Sequence, residues 1–442
     1  MLENHTISAK DMAVEVLKMN WRDGYTIPSA RLYPFQWNWD SGFIALGLAY
    51  IDPQKAMDEV RFMYKGQWEN GMLPHIVFHQ PNDKYFPGPG EWGTESAAGP
   101  TCKVPVSGIT QPAVFGFILE KMHLLLHSKE AGWMDFLKEI VPKILKQHRY
   151  FYTCRDPRNE GLVYIEHNWE SGTDNSPMWD TIFENMDVTH ARDVSALRQD
   201  NKKVGEEERP TDEHYKRYMF IVDRLRDCQY DDQVIAETCP FLVQDVLFNS
   251  ILVKSNDSLI KLGTLLDLDV SDIVLWNQKA KSAINSKLWD EETGFYYAYD
   301  LRSDSRIGIK VSSGFAPLFA GIANAAQAEK LVHQLTTTFT PNNDWKLCPS
   351  CAVDEPSFNP LKYWRGPVWI NINWMLVEGL NAYGFTELAE RLKADTLYLV
   401  EHHGMYEYFD PRPTSAGGLA NRGIGADYFS WSAALYIDLL HH

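Results

Sequence analysis

The chain has 442 residues, 45% of them apolar, enough to bury a large core, which excludes intrinsic disorder and a disulfide-stapled miniprotein. Forty-two Lys and Arg against 59 Asp and Glu leave a net charge of −17, and without a basic run the chain is a poor partner for nucleic acid or an anionic membrane surface. The N-terminal Met-Leu-Glu-Asn-His-Thr lacks a signal-peptide pattern and no run of about 18 apolar residues occurs, so a soluble cytoplasmic protein is expected, with homo-oligomerisation compatible with the sequence.

Apolar residues at three- and four-residue spacing predict helices over 7–20, 54–66, 113–128 and 133–153. Further helices are expected at 212–229, 240–265, 270–288, 326–337, 366–382, 386–402 and 427–440. Asp52-Pro53 and Ser271-Asp272 read as helix starts, and Gly366-Pro367 as the opening of the helix after it. Between the helices lie stretches rich in Gly, Pro, Trp and Tyr at 21–40, 67–110, 155–185, 340–366 and 404–428. Loops this long and this aromatic are functional rather than disordered, and they are expected to converge on one site.

Residues 185–212 differ, because they are charged and poor in apolar side chains. They suit a surface excursion or flap, with only Arg209-Pro-Thr-Asp212 looking ordered. Sequential helix pairs with functional loops predict an all-α, (α/α)6 barrel, a helical toroid capped by its active-site loops. An open solenoid would show a repeat of fixed length, and none is found. The expectation is therefore one catalytic domain over 1–442, with lid-like excursions at about 67–110 and 185–212.

Six cysteines, at 102, 154, 228, 239, 348 and 351, are scattered and read as reduced thiols. Cys348-Pro-Ser-Cys351 is a lone C-x-x-C without zinc-spaced partners, and His75 and His79 sit in a loop-like segment bracketed by Pro74 and Pro81. No metal and no cofactor are expected.

Two carboxylate clusters stand out. Trp169-Glu170-Ser-Gly172-Thr-Asp174-Asn-Ser-Pro177 carries acids four apart in what Gly172 and Pro177 make a turn, with Asp174 either part of that turn or poised for proton transfer. Met405-Tyr-Glu407-Tyr-Phe-Asp-Pro411 sets one Glu among aromatic residues. Two carboxylates on separate loops of an aromatic-lined toroid are what glycoside hydrolysis requires, one as acid and one as base or nucleophile. The acid must keep its proton near neutrality, so burial or a negative neighbour such as Glu170 should raise its pKa. Tyr33-Pro-Phe-Gln36-Trp37-Asn38-Trp39-Asp40 and Lys362-Tyr363-Trp364-Arg-Gly-Pro-Val-Trp369 mix flat rings with polar groups, the combination that grips a sugar by its C–H face and its hydroxyls.

Gln36-Trp-Asn-Trp-Asp40, the Glu-Ser-Gly-x-Asp-Asn-Ser-Pro stretch ending at Pro177, Tyr363-Trp-Arg-Gly-Pro-Val-Trp369, Glu407-Tyr-Phe-Asp-Pro411 and Phe429-Ser-Trp431 together resemble glycoside hydrolase family 63. They stand in the family's order from about residue 30 onward. The resemblance implies an (α/α)6 barrel and an inverting mechanism on an α-linked sugar, with Asp174 as general acid and Glu407 as general base. Within the family the chain is most similar to the compact mannosylglycerate and glucosylglycerate hydrolases. That likeness rests on length, on Asn-Asp-Lys-Tyr85 in a lid-like loop, and on Arg209-Pro-Thr-Asp-Glu-His-Tyr215.

It implies that Tyr85, Arg209 and Tyr215 hold an anionic glycerate, and that Tyr33, Trp37, Asn38, Trp39, Asp40, Gln111, Trp169, Gly172, Tyr363, Trp364 and Trp369 serve the sugar and glycerate subsites. A chain of charge −17 needs a local guanidinium to bind an anionic glycoside, and the other reading of Arg209 is a solvated face beside Glu206, Glu207 and Glu208. The alternative function is a family 63 α-glucosidase acting on a neutral disaccharide or oligosaccharide.

Overall fold

The computed structural model describes residues 7–97, 104–340, 345–413 and 422–441. Cys102, the N-terminal hexapeptide, His442 and parts of the loops at 67–110, 340–366 and 404–428 lie outside the described residues.

Twelve of the helices among the described residues alternate along the chain between two rings. They are α1 (Ala9–Asn20), α2 (Asn38–Ala49), α3 (Pro53–Met63), α4 (Phe115–Leu126), α5 (Trp133–Cys154), α6 (Val246–Leu265), α7 (Ser271–Ala283), α8 (Ala316–Phe319), α9 (Ala325–Thr337), α10 (Ile370–Ala382), α11 (Thr386–His403) and α12 (Ser430–Leu439). Contacts run from α2 to α4, then to α6, α8, α10 and α12, and from α12 back to α2. The even-numbered helices thus close an inner ring. Outside them α1 packs on α12, α3 on α2, α5 on α4, α7 on α6 and α11 on α10. This is the (α/α)6 barrel, in its closed form.

Helix α2 is absent from the sequence-based expectations because every one of its residues is buried, so it carries no polar face and no amphipathic period. Outer helices such as α3 and α5 keep an exposed face and are legible for that reason. Close approach within the inner ring depends on missing side chains. A Cβ on Gly47 of α2 would lie 2.5 Å from the Ala434 backbone of α12, and one on Gly116 of α4 would lie 2.5 Å from the Ser255 carbonyl of α6.

Several helix starts move. Asp52 does cap α3, accepting from the Lys55 amide at 3.2 Å, but α6 begins at Val246 rather than 240, capped by Asp245. Gly366-Pro367 does not open α10, which starts at Ile370 after Val368 has paired with Phe409. At α7 the expected Ser271-Asp272 cap is absent, since the helix starts at Ser271 behind Val270 with no side-chain cap, and the preceding Asp269 accepts from the Ser271 amide at 3.0 Å.

The loops that feed the inner helices are knitted by short antiparallel pairs. Gln36–Trp37 pairs with Ile76–Val77, Tyr408–Phe409 with Gly423–Ile424, and Val243–Gln244 with Tyr299–Asp300. They bring the N-terminal ends of the inner helices together at one mouth of the toroid. The 185–212 excursion is more anchored than its charge suggests, because Arg198 is 1% exposed and paired with Asp200 and Asp212. Cys348 and Cys351 are buried free thiols whose burial pushes their pKa values up, that of Cys351 to about 12, which leaves them unreactive. No helix among the described residues is long and apolar enough to cross a membrane.

Gly47 offers a test of ring closure in which the sign is decided by packing. In an open helix Gly→Ala stabilises by roughly 0.5–1 kcal/mol. Here Gly47→Ala is expected to destabilise instead, by about 1–3 kcal/mol in denaturant unfolding, because the new methyl meets backbone rather than a yielding side chain. A raised unfolding midpoint would contradict the tight α2–α12 crossing.

Candidate active site

At the mouth of the inner ring a small cavity of about 50 Å³ is lined by Pro28, Tyr33, Trp37, Trp39, Asp40, Gln111, Gly172, Asp174, Tyr363, Trp364, Trp369, Glu407, Phe429 and Trp431. Its walls are aromatic. Trp364 and Trp369 stack at 3.7 Å with nearly parallel rings, and Tyr408, 4.6 Å beyond Trp369, extends the stack. Trp39 and Trp431 meet edge to face at 5.4 Å across the entrance to α2 and α12.

Behind the wall, polar side chains fix the segments that present these rings. Gln36 donates to the Glu59 carboxylate at 2.9 Å and contacts the His79 ring at 2.7 Å, while Ser41 donates to the same Glu59 oxygen at 2.7 Å. Glu59 on α3 therefore holds both ends of the run that carries Trp37, Trp39 and Asp40. Asn38, expected in a subsite, instead faces backward and donates to the carbonyls of Leu73 and Pro74. His75 bonds to Ser107 at 2.6 Å, so both histidines of that loop are engaged in packing. Gln111 accepts from the Trp39 amide at 3.2 Å.

Glu170 belongs to a second clamp and is not the neighbour that tunes Asp174. Its carboxylate is fully buried against Arg155 at 3.3 Å and accepts from the amides of Thr110 at 3.0 Å and Glu166 at 2.7 Å. The turn that follows reverses at Gly172, whose φ of +75° and contact with the Trp39 ring leave no space for a side chain. Asp174 emerges on the cavity side, held by Asn168, which donates to its carbonyl at 2.7 Å. Trp169 packs behind this turn against His75, Trp92, His167 and Tyr215 and does not line the cavity.

Asp174 and Glu407 face one another through two tyrosines. The Tyr33 hydroxyl donates to Glu407 Oε1 at 2.7 Å and lies 3.2 Å from the Tyr363 hydroxyl, which donates to Asp174 Oδ2 at 3.3 Å. Tyr363 takes a left-handed backbone, φ +42°, uncommon for a bulky residue. The other Glu407 oxygen accepts from the Ala426 amide at 3.1 Å. Asp174 is partly exposed, whereas Glu407 is 2% exposed.

Burial pushes the Asp174 carboxyl up to about 7, against the pull of the Arg209 guanidinium and with a further push from the Glu407 charge. Burial also raises Glu407, opposed by Arg209, by the Tyr33 and Tyr363 hydroxyls and by the Ala426 amide. Asp40 is raised well above its usual value by burial and by both neighbours. A carboxyl that keeps its proton near neutrality beside one held by donors is the arrangement of an acid and a base.

Tyr85, Arg209 and Tyr215 form an adjoining group beside the cavity. Tyr85 packs edge-on against Trp37 at 5.6 Å, and Tyr215 donates to the Phe86 carbonyl at 3.3 Å. Arg209 is 7% exposed rather than on a solvated face. It donates to the Tyr33 hydroxyl at 3.0 Å and lies over the Tyr363 ring at 4.3 Å. Pro28, Phe429 and Trp431 were not among the expected site residues. Phe429 and Trp431 could have been found, since an aromatic pair at the start of an inner helix repeats the pattern of Trp37 and Trp39.

A protein-family profile described as the mannosylglycerate hydrolase MGH1-like glycoside hydrolase domain matches residues 33–432. A mannosylglycerate hydrolase of Thermus thermophilus is 42% identical over 424 residues, 96% of this chain and 98% of its own. The glucosylglycerate hydrolase of Mycolicibacterium hassiacum is 30% identical over 443 residues, covering 97% and 96%. A crystal structure of a family 63 mannosylglycerate hydrolase, also from Thermus thermophilus and in complex with Tris and D-glycerate, superposes with a TM-score of 0.90 at 40% identity, covering 98% of this chain and all of that one.

The electrostatic coupling in the cavity can be measured directly. Glu407→Gln removes a negative charge and is expected to lower the Asp174 pKa below about 7, read by carbon NMR of labelled aspartate carboxyls. An unchanged titration would mean that Glu407 does not act on Asp174.

Proposed function

The chain belongs to the mannosylglycerate hydrolase MGH1-like glycoside hydrolase family, within glycoside hydrolase family 63, and from that membership we propose that it hydrolyses a small α-linked sugar-glycerate with inversion. Mannosylglycerate or glucosylglycerate is the substrate, and the products are the free sugar and glycerate.

The observation that carries the mechanism is the placement of the two carboxyls on opposite sides of the ring. Asp174 lies on the connection into α6 and Glu407 on the connection into α12, three steps apart in a ring of six inner helices. A sugar between them meets an acid on one face and a base on the other. Their oxygens are linked through the Tyr363 and Tyr33 hydroxyls by contacts of 3.3, 3.2 and 2.7 Å. Laid end to end, these contacts cap the separation at a value inside the roughly 6.5–9.5 Å range of inverting pairs, so a gap of that size is compatible with them.

In this reading Asp174 protonates the glycosidic oxygen and Glu407 takes a proton from water as it attacks the anomeric carbon. Trp37, Trp39 and Trp364 present their rings to the sugar, Trp369 backs Trp364 from within the stack, and Asp40 and Gln111 hold the sugar hydroxyls. Arg209, with Tyr85 and Tyr215, receives the glycerate carboxylate. Residues 1–442 act as one catalytic domain, and the excursions at 67–110 and 185–212 close over the substrate. The net charge of −17 and the anionic substrate suit a cytoplasmic enzyme without nucleic-acid partners.

The test is proton NMR of the enzyme with mannosylglycerate, glucosylglycerate, trehalose and kojibiose in parallel. The expected result is release of the β-anomer first from a glycerate compound, lowered by about a hundredfold or more in Asp174→Ala and Glu407→Ala. Turnover of a neutral disaccharide alone, undiminished in Arg209→Ala, would replace the glycerate reading with an α-glucosidase. Activity should fall as pH rises through about 7, where Asp174 loses its proton, and should fall again on the acid side as Glu407 gains one.

A further inference from the structure

One charged group beside the cavity has no task in the mechanism above. Asp200 opens a short turn in the 185–212 excursion, and its carboxylate is gripped by two guanidiniums. Arg198 donates from Nε to Oδ1 at 3.1 Å and from Nη2 to Oδ2 at 2.9 Å. Arg209 donates from Nε to the same Oδ2 at 3.2 Å. Burial alone would raise the Asp200 carboxyl, but Arg209 and Arg198 hold it below the usual range, so it is ionised.

Arg209 is shared in turn. Its Nη1 donates to Tyr33 and lies 3.9 Å from Glu407 Oε1. The Arg198 guanidinium covers the Tyr215 ring at 4.5 Å, and Tyr85 lies close enough to feel both Asp200 and Arg209. Tyr85, Arg209 and Tyr215, the groups assigned to the acid end of the substrate, are therefore arranged around a carboxylate that the chain itself supplies.

Resting on the reading that Arg209 binds the glycerate carboxylate, we infer that Asp200 is a specificity-determining stand-in for that carboxylate. It holds Arg209 while the site is empty and gives way to the substrate's acid group on binding. The physical case has two sides. A buried guanidinium without a full counter-charge is costly, and the nearest other anion is Glu407, whose basicity a free Arg209 would depress. The exchange is also mild. Asp200 gives up a single contact of 3.2 Å and keeps both bonds to Arg198, while Arg209 trades one carboxylate for another. A ligand without an acid group cannot compensate Arg209, so Asp200 stays in place and competes for the same space.

The sign of the Asp200→Asn effect separates a stand-in from a scaffold. The experiment measures inhibition by D-glycerate and the pH dependence of kcat/KM in the wild type, Asp200→Asn and Asp200→Ser, with melting curves as a check on folding. The stand-in predicts D-glycerate inhibition tighter by about tenfold, the scale of one charge-assisted hydrogen bond. KM for the sugar-glycerate falls more than kcat changes, trehalose gains nothing, and the acid limb moves to lower pH as Arg209 turns towards Glu407. Weaker or unchanged D-glycerate inhibition in a folded variant overturns the proposal and makes Asp200 a positioning residue for Arg209. Inhibition in the wild type that is absent, or that survives Arg209→Ala, overturns the glycerate reading and this inference with it. The two failures are thereby distinguished.

Discussion

A ring of six inner helices can close only if neighbouring backbones come within reach of one another, and the sequence meets that demand with small residues at the crossings. Gly47 against Ala434 and Gly116 against Ser255 let α2, α12, α4 and α6 approach without intervening side chains. Closure fixes more than shape. Each inner helix starts at the same mouth, so the connections that feed α2, α4, α6, α10 and α12 bring Trp39, Gln111, Asp174, Trp369 and Trp431 to one cavity although they are scattered over most of the chain. The six-fold order also makes the connections into α6 and α12 face each other, which puts Asp174 and Glu407 on opposite sides of the ring.

Convergence of that kind concentrates charge. Asp40, Asp174 and Glu407 share one cavity, and three ionised carboxylates there would repel strongly. Arg209 offsets part of the repulsion, and the Tyr33 and Tyr363 hydroxyls and the Ala426 amide favour charge on Glu407 in particular. Asp174 has fewer donors and keeps its proton to about pH 7. The difference between two chemically similar acids thus comes from unequal hydrogen bonding around a shared cation.

Much of this was legible in the sequence, and the failures have physical causes. Outer helices announced themselves by amphipathic spacing, and the aromatic runs with Gln, Asn and Asp marked the loops of the cavity. Helix α2 was invisible because burial on all sides erases periodicity. Glu170 looked like a partner for Asp174 because it lies four residues away, but the left-handed turn at Gly172 sends the two carboxyls in different directions, one into the Arg155 pair and one into the cavity. Asn38 and Trp169 share the composition of the site yet serve its back wall. Spacing along the chain cannot tell the two faces of a turn apart. Arg209 was found through a motif rather than its surroundings, since three adjacent glutamates made its neighbourhood look solvated.

The two flanks of the cavity are held by different forces, and under the proposed function the difference matches what each flank has to do. Behind the aromatic wall, Glu59 holds its loops through hydrogen bonds to Gln36 and Ser41, and Glu170 does so through the Thr110 and Glu166 amides and a buried pair with Arg155. Such buried networks resist rearrangement, because breaking one bond strands a polar group without water. Around Arg209 the excursion is held by ion pairs of Arg198 and Arg209 with Asp200. An ion pair that borders the cavity can be exchanged for another of the same charge with little net change in solvation, whereas a clamp sealed behind the wall has no incoming substitute. Under the proposed function, a rigid wall suits recognition of a sugar ring by its hydroxyls, and an exchangeable one suits an anion that must enter with its charge and leave after the bond is cut.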